Sequence, residues 1–426
     1  MTILFRKTST IIFLSYMLSF NVMAAELEYE IRIGASRSDN VARTDTLEIE
    51  ETIALVGLAL DLQHESRRVA ASLVTDLEYR NYTDNTFDDE VVGSLNADLE
   101  LQLAPEVFSW LFQYQFGNLQ TNPFLANTAF NRQNVNQFST GPDLRIRLGS
   151  NTALELGGRY HSTRYEISDI DNDVLGSRVS LVRALSPYRS ISLNVTADRV
   201  EYDNTLLNSN YDRQTAYFGF ESEVPRGSIT VNLGYNEIHD NGEVVDGNLI
   251  NIAWDREISP STTFRLAYDQ GFTDSSDFLG QSQPGEGFGE PQNTPGVSDP
   301  FENRQFSLGL NYNRNNNNFF ASLLYNEDEY VTNSLLDRNR SELRAGFSKV
   351  LGSAWRIRLS GALQRTDFVA TGREDDDTVI SAGLSRQLSR MIGVNLDFTR
   401  FDRDSSDPAF DYVENLVNLT FSYARQ

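Results

Sequence analysis

The stretch that decides the fold is VVGSLNADLELQL, residues 91–103, in which small or apolar residues at odd positions alternate with polar residues at nearly every even position. A period of two predicts a β-strand with one apolar and one polar face. The pattern recurs at the end of the chain, where Val417, Leu419, Phe421 and Tyr423 alternate with polar or small residues. Strands of this kind form no sealed core in water. The sequence therefore predicts a sheet closed into a cylinder, with lipid outside and a polar interior.

The same alternation returns between turn-rich segments along the chain. About twenty strands of membrane-crossing length fit the sequence, with about 18 as the alternative. Short turns, such as residues 224–227 and 315–318, alternate with long connections, such as residues 117–136 and 273–303. The expected fold class is all-β, a transmembrane antiparallel up-and-down β-barrel in which this alternation of loop length has no exception. Barrels of the outer membrane keep short turns on the periplasmic rim, so both termini are expected in the periplasm.

The first residues predict a targeting signal. Arg6 and Lys7 precede an apolar run over residues 11–20, and Ala24 supplies the small residue that a signal peptidase requires. We expect a signal peptide over residues 1–24, cleaved after Ala24. A transmembrane anchor is the alternative, but the apolar run is short for a spanning helix. Residues 25–426 are expected to form one outer-membrane barrel, because no linker or change of composition divides them.

Composition argues against several functions. The chain has 36 Lys and Arg against 60 Asp and Glu, a net charge of −24, so nucleic acid, which needs a clustered basic face, is not an expected partner. The absence of cysteine excludes disulfides and thiolate chemistry. His161 and Ser162 point to opposite faces of their strand and form no nucleophile–base pair. We expect no enzyme and no cofactor, and a membrane-embedded lipid hydrolase is the least favoured function.

Strand parity predicts which charged side chains face the interior. Both signs are interspersed, which favours a channel for neutral or zwitterionic hydrophilic solutes over a strongly ion-selective pore. The alternative is an interior whose charges pair across strands while loops plug it. The predicted lumen-lining residues are Asp76, Glu78, Arg80, Asp98, Glu100, Asp143, Arg145, Arg147, Arg159, Arg265 and Asp269.

The amide-rich connection at residues 117–136 is a candidate carbohydrate site. Aromatic rings stack on sugars and amides bond to hydroxyl groups. The candidate sugar contacts are Phe124, Asn127, Phe130 and Asn131, and a loop packed on itself is the alternative. The longest connection, residues 273–303, either folds into the lumen or lies outside it, and the sequence does not choose.

Acidic clusters are the only candidate metal sites. Asp169, Asp171 and Asp173 resemble the opening of a calcium loop, but Val174 replaces the glycine that such a loop needs. A solvated charge run is the favoured interpretation, both here and for the acidic run at residues 374–377, so we expect no metal. Acidic loops of this kind are expected to face binding partners or lipopolysaccharide.

The signal peptide, a first strand leading into residues 38–41 (Ser-Asp-Asn-Val) and the aromatic terminal strand ending near Tyr423 resemble the β-barrel porin 2-like family of Gram-negative outer-membrane proteins. Some members of that family lie in exopolysaccharide or PEP-CTERM-associated gene clusters. The resemblance implies a passive channel that serves export of an extracellular polysaccharide. The expected partners are outer-membrane lipids, lipopolysaccharide, the barrel-assembly machinery, and the polysaccharide or its export proteins. A plugged structural or binding barrel is the alternative function.

Overall fold

The computed structural model describes residues 26–206, 208–240, 242–275, 279 and 296–425. The predicted signal peptide, residues 1–24, lies outside the described residues, and so does the stretch 280–295 of the longest connection. Within the described ranges, no helix is long and apolar enough to cross a membrane.

Twenty strands form a single antiparallel sheet in the described part of the chain. In chain order they are β1 (Glu26–Ser38), β2 (Glu51–Glu65), β3 (Val69–Tyr82), β4 (Glu90–Ala104), β5 (Phe108–Gln120), β6 (Arg132–Arg147), β7 (Thr152–Tyr165), β8 (Asn172–Ser186), β9 (Arg189–Tyr202), β10 (Tyr211–Val224), β11 (Gly227–Asp240), β12 (Glu243–Ser259), β13 (Thr262–Thr273), β14 (Phe301–Arg314), β15 (Asn317–Tyr330), β16 (Arg338–Leu351), β17 (Trp355–Phe368), β18 (Arg373–Gln387), β19 (Ile392–Ser405) and β20 (Tyr412–Arg425).

The sheet closes on itself. Each strand pairs with its neighbour in sequence, and β1 also pairs with β20, from Tyr29 opposite Arg425 to Ser38 opposite Leu416. Closure leaves no free edge, so the backbone groups of the sheet are paired within it. This confirms the predicted fold class, a closed antiparallel barrel, and the preferred count of strands.

The apolar faces of the strands point away from the barrel axis. Along β20, Phe421 is 49% exposed whereas Thr420, the residue before it, is only 6% exposed. An apolar outer face and a polar inner face are the distribution that lipid outside and water inside select. The alternation seen in the sequence therefore corresponds to outside and inside of the cylinder.

Two features of the predicted connections are wrong. Loop lengths do not alternate without exception, because β11 runs to Asp240 and β12 begins at Glu243, which leaves only residues 241–242 on the long-loop rim. The acidic run at residues 374–377 is not a solvated loop, because β18 begins at Arg373. In both places the strands continue beyond the expected bounds. In β18 the acidic residues find partners on both faces of the sheet: Asp377 pairs with Arg403, and Asp376 pairs with Arg365.

Candidate functional site: the loop-covered mouth

The residues predicted to line the lumen share one face of the sheet. In β6 to β8, for example, Asp143 stands opposite Gly157, and Gly157 stands opposite Arg178. Residues directly opposite each other in adjacent strands point to the same side. We call this side the interior face, because loop residues that cross the barrel pack against it, as described below.

The predicted charged residues of the interior face all have a close polar or charged partner. Arg159 and Arg178 both pair with the Asp143 carboxylate, and Arg265 Nε lies 2.6 Å from Asp255 Oδ1. The other predicted residues also have partners: Asp76 with Arg32, Glu78 with Arg80, Arg145 with Glu155, Arg147 with Glu106, Asp98 with Gln113, Glu100 with Gln102 and Asp269 with Asn251. Partly exposed pairs of this kind contribute little stability each, but together they make the interior face polar, with both signs present. Asp98, Glu100 and Asp269 have neutral amide partners, so their charges are not cancelled.

A depression of about 360 Å³ opens near the short-turn ends of β4–β8. Its lining includes Glu100, Asp143, Arg145 and Arg147 from the predicted set. These side chains carry both signs and pair with one another or with close neighbours. The depression is therefore a polar surface of mixed charge at the end of the barrel opposite the long loops.

The connection between β5 and β6, residues 121–131, crosses the other end of the barrel, which we call the mouth. The Phe124 ring lies 5.3 Å from the ring of Phe368 in β17, and the Phe124 carbonyl accepts a 2.8 Å hydrogen bond from Arg373 Nη2 in β18. The Asn127 carbonyl accepts a 3.0 Å hydrogen bond from Arg43 Nη1. Six strands, β19, β20 and β1–β4, separate β18 from β5 on the shorter path around the sheet. Residues 121–131 therefore form a crossing loop over the mouth.

The longest connection also folds inward in its described part. Leu279 packs against Leu119, Val135 and Tyr165, on β5, β6 and β7, although it belongs to the chain between β13 and β14. The Gly296 amide donates a 2.8 Å hydrogen bond to the carbonyl at residue 120 of β5. Between β7 and β13 lie the five strands β8–β12, so this connection reaches across the interior as well. Of the two placements that the sequence left open, the described residues show the inward one.

A ring of buried aromatic residues lines the mouth beneath these loops, and we call it the aromatic collar. Each member is the first or last residue of its strand on the long-loop side and is less than a tenth exposed. The members are Tyr82, Tyr165, Tyr202, Tyr211, Phe301, Tyr330, Phe368 and Tyr412. The collar was missed in the sequence because aromatics near strand ends are equally typical of an outer lipid girdle. The available signal was their position, at the last residue of β3, β7, β9, β15 and β17.

The candidate sugar contacts belong mostly to the framework of the crossing loop. Asn131 is buried, and its side chain both accepts from the amide and donates to the carbonyl of Asn122, at 2.8 Å each. The Asn127 side-chain oxygen accepts hydrogen bonds of 3.1 and 3.0 Å from Arg132. Phe130, by contrast, is 77% exposed. The amides are committed to holding the loop, and Phe130 is the candidate that presents its ring to solvent.

The three aspartates of the candidate calcium site bind separate protein donors. Asp169 accepts from Asn204, Asp171 accepts from a backbone amide of β7, and Asp173 accepts a 2.8 Å hydrogen bond from Arg164. No group of three or more His, Cys, Asp or Glu side chains is placed to hold a metal ion anywhere in the described ranges.

No family model matches this chain, and no curated protein matches it significantly. Among solved structures, a variant of the ferric enterobactin receptor PfeA from Pseudomonas aeruginosa is similar at 10% identity with a TM-score of 0.50, over 94% of this chain and 81% of that one. OpdO from the same organism aligns over 94% of this chain and 98% of its own, at 13% identity and a TM-score of 0.43. The likeness to PfeA shows the fold, which is that of an outer-membrane β-barrel.

Proposed function

We propose that the protein is an outer-membrane channel for small hydrophilic solutes whose mouth is closed by its own loops in the described conformation. The observation that carries the proposal is the crossing loop, residues 121–131, which spans the mouth above a polar interior face. A barrel of twenty strands is too wide for its wall side chains to fill; barrels with somewhat fewer strands enclose water and larger ones hold a plug. In the described residues the closure lies at the mouth, which is the arrangement that a gated passage requires.

The anchors of the crossing loop are modest in strength. It is held to β17 and β18 by the Phe124–Phe368 contact and the hydrogen bond from Arg373, and to the connection between β1 and β2 by the hydrogen bond from Arg43. An aromatic pair contributes about 0.5–1.5 kcal/mol, and a hydrogen bond contributes about 0.5–1.5 kcal/mol net. Displacing the loop from the wall therefore costs a few kcal/mol. That cost leaves the open state as a minor but accessible population.

The proposal includes location and orientation. The described ends of β1 and β20 lie on the short-turn rim, since Glu26 stands opposite Gln63 beside the β2–β3 turn. We place this rim in the periplasm and the crossing loop outside the cell, facing lipopolysaccharide. Insertion by the barrel-assembly machinery belongs to the same proposal.

Polysaccharide export is the finer function implied by the family resemblance. A polymer could thread the barrel only if the crossing loop and the longest connection were both displaced. Leu279 would then lose its apolar contacts with Leu119, Val135 and Tyr165. The burial of Leu279 among these residues favours the second candidate function, a permanently plugged structural or binding barrel. The two functions differ in whether the mouth ever opens.

Single-channel recording with a tethered loop separates these functions. The chain contains no cysteine, so the double variant Phe124→Cys, Phe368→Cys offers one pair for a short bis-maleimide linker. We expect brief openings of the wild type in planar bilayers, loss of openings after cross-linking, and larger steady conductance when residues 122–130 are replaced by a short linker. The matched control is Phe124→Cys treated with a monofunctional maleimide.

Silence of both the wild type and the loop-replacement variant would overturn the channel proposal and leave the plugged barrel. If openings occur, swelling of liposomes in neutral oligosaccharides of increasing length then tests the export function. We expect exclusion of the longer oligosaccharides by the wild type and their entry only through the loop-replacement variant. Entry of long oligosaccharides through the wild type would favour export.

A further inference from the structure

In the described ranges, one buried arginine of the interior face has no ion pair. Arg340 lies in β16, opposite Asn326 of β15 and Thr366 of β17. It is 8% exposed, and its Nε atom is enclosed without a hydrogen-bond partner. Across the ranges that the structure describes, the Arg340 side chain has no ion pair. A buried cation without a partner is costly, which is why buried charges in proteins are usually paired.

The nearest carboxylates are already engaged by other groups. Asp328 Oδ2 accepts a 2.9 Å hydrogen bond from Arg338 Nε, and Asp328 Oδ1 accepts from the side-chain amides of Asn303 and Asn326 at 2.7 and 2.8 Å. Asp328 thus neutralises Arg338, the inward residue on the mouth side of Arg340.

On the other side of Arg340 along β16, Glu342 pairs with Arg344. The interior face of β16 therefore carries three arginines, Arg338, Arg340 and Arg344, against one glutamate, and Asp328 of β15 supplies one further negative charge. One positive charge is left over, and it is that of Arg340.

The wall around Arg340 offers further hydrogen-bond donors but no free acceptor charge. Thr366 is 7% exposed, and its hydroxyl oxygen accepts a 3.2 Å hydrogen bond from Gln364. That bond leaves the hydroxyl proton of Thr366 available to a ligand. The exposed fraction of Arg340 belongs to the barrel interior, because the residue faces inward in the register of β15–β17.

We propose that Arg340 is the centre of an anion site on the interior face below the mouth, and that it binds the carboxylate group of a small organic acid, for which galacturonate serves as the probe. A guanidinium presents parallel N–H donors that match the two oxygens of a carboxylate. The proposal rests on the channel function to the extent that it names a class of solute. Binding itself requires only access to the interior.

The test measures thermal unfolding of the full-length barrel in detergent, with and without galacturonate. The heat-dependent change of its mobility on gels reports the fraction that is unfolded. We expect galacturonate to raise the unfolding midpoint of the wild type by several degrees, with galactose, the neutral counterpart, causing no shift. A ligand that binds only the folded state stabilises it in this way. In Arg340→Met the shift should disappear, and the midpoint without ligand should rise because an unpaired buried charge has been removed.

The matched control is Arg356→Met, which removes an exposed interior arginine of the adjacent strand β17 and should keep the galacturonate shift. If Arg340→Met does not fold, Arg340→Lys keeps the charge and should retain a weaker shift. An equal shift in wild type and Arg340 variants overturns the proposal, as does the absence of any shift in the wild type. A shift with inorganic phosphate but not galacturonate overturns the carboxylate class.

This readout is independent of conductance. Closed channels in bilayers would overturn the channel proposal while a galacturonate shift that depends on Arg340 still supported the site. Open channels without a galacturonate shift would support the channel proposal and overturn the anion site.

Discussion

Asp375 and Asp376 are adjacent in the sequence but occupy opposite environments. The Asp375 side chain is 1% exposed and lies within 3.1 Å of Arg373 Nε and 3.3 Å of Arg403 Nη1. The Asp376 side chain is 52% exposed and pairs with Arg365 at 2.6 Å on the other face of β18. The acidic run that the sequence presents as one charge cluster is therefore divided by the strand into buried and exposed pairs.

This pair of neighbours gives a residue-scale prediction. Asp375→Asn removes one charge from a buried network and leaves Arg373 without its carboxylate, so the free energy of unfolding should fall by about 3–5 kcal/mol. Asp376→Asn, the matched control, should change it by less than about 1 kcal/mol. Urea unfolding of the barrel in lipid vesicles measures both. Equal losses in the two variants would contradict the assigned faces of β18.

At the scale of elements, the crossing loop is stabilised largely by one amide. Asn131 ends a 3₁₀ turn over Ala129–Asn131 and bonds to the backbone of the same loop while 2% exposed. A loop rarely has a hydrophobic core of its own. A buried side-chain amide can hold the loop together instead, because it forms hydrogen bonds with the backbone N–H and C=O groups of the loop.

Asn131→Ala should therefore loosen the crossing loop without unfolding the barrel. Loss of the buried hydrogen bonds costs about 1–3 kcal/mol, which is comparable with the anchoring of the loop. We expect protease cleavage within residues 121–131 and a higher open probability in bilayers. Phe130→Ala, at an exposed position of the same loop, is the control and should behave as the wild type. Unchanged protease resistance in Asn131→Ala would show that other contacts hold the loop.

The connections between strands also predict sidedness. Leu206, in the connection between β9 and β10, is 95% exposed, whereas residues 315–316 form a short turn between β14 and β15. An epitope inserted at Leu206 should bind antibody on intact cells, and one inserted at residues 315–316 should bind only after the outer membrane is permeabilised. Labelling in the opposite order would invert the proposed orientation.

At the scale of the whole molecule, acidic side chains outnumber basic ones but do not form one ring. Many charges of the interior face are paired between neighbouring strands, as Asp143 is with Arg159 and Arg178. A field of one sign is required for strong selectivity among ions.

We therefore expect the variant with residues 122–130 replaced to pass neutral sugars and to prefer monovalent cations only modestly. The reversal potential across a KCl gradient measures the preference, and it should lie much closer to zero than to the potential of an ideally cation-selective pore. A strongly cation-selective pore, or an anion-selective one, would show that the paired charges do not determine the field. Raising the salt concentration should weaken the preference further.

The sequence by itself determined the wall of the barrel. Alternation such as that of residues 91–103 is local, and the contrast between lipid and water assigns each parity to one side. Closure follows from the same pattern, because a sheet with one lipid-facing side is stable only without edges. The sequence left the number of strands open between about 20 and 18, and the structure has twenty in its described part. Parity also placed Asp143, Arg159 and the rest of the predicted set on one face of the sheet.

Only the tertiary structure decided which loops cover the mouth and which buried arginine lacks an ion pair. Phe124 meets Phe368, and Leu279 meets Leu119, across the width of the barrel. Such contacts join residues that are far apart in the chain, and no local pattern encodes them. Arg340 looks like any other interior arginine in the sequence; its lack of a partner depends on Asp328 being engaged by Arg338 and Glu342 by Arg344. Strand periodicity acts within one element, whereas loop docking and charge pairing depend on how all the elements come together.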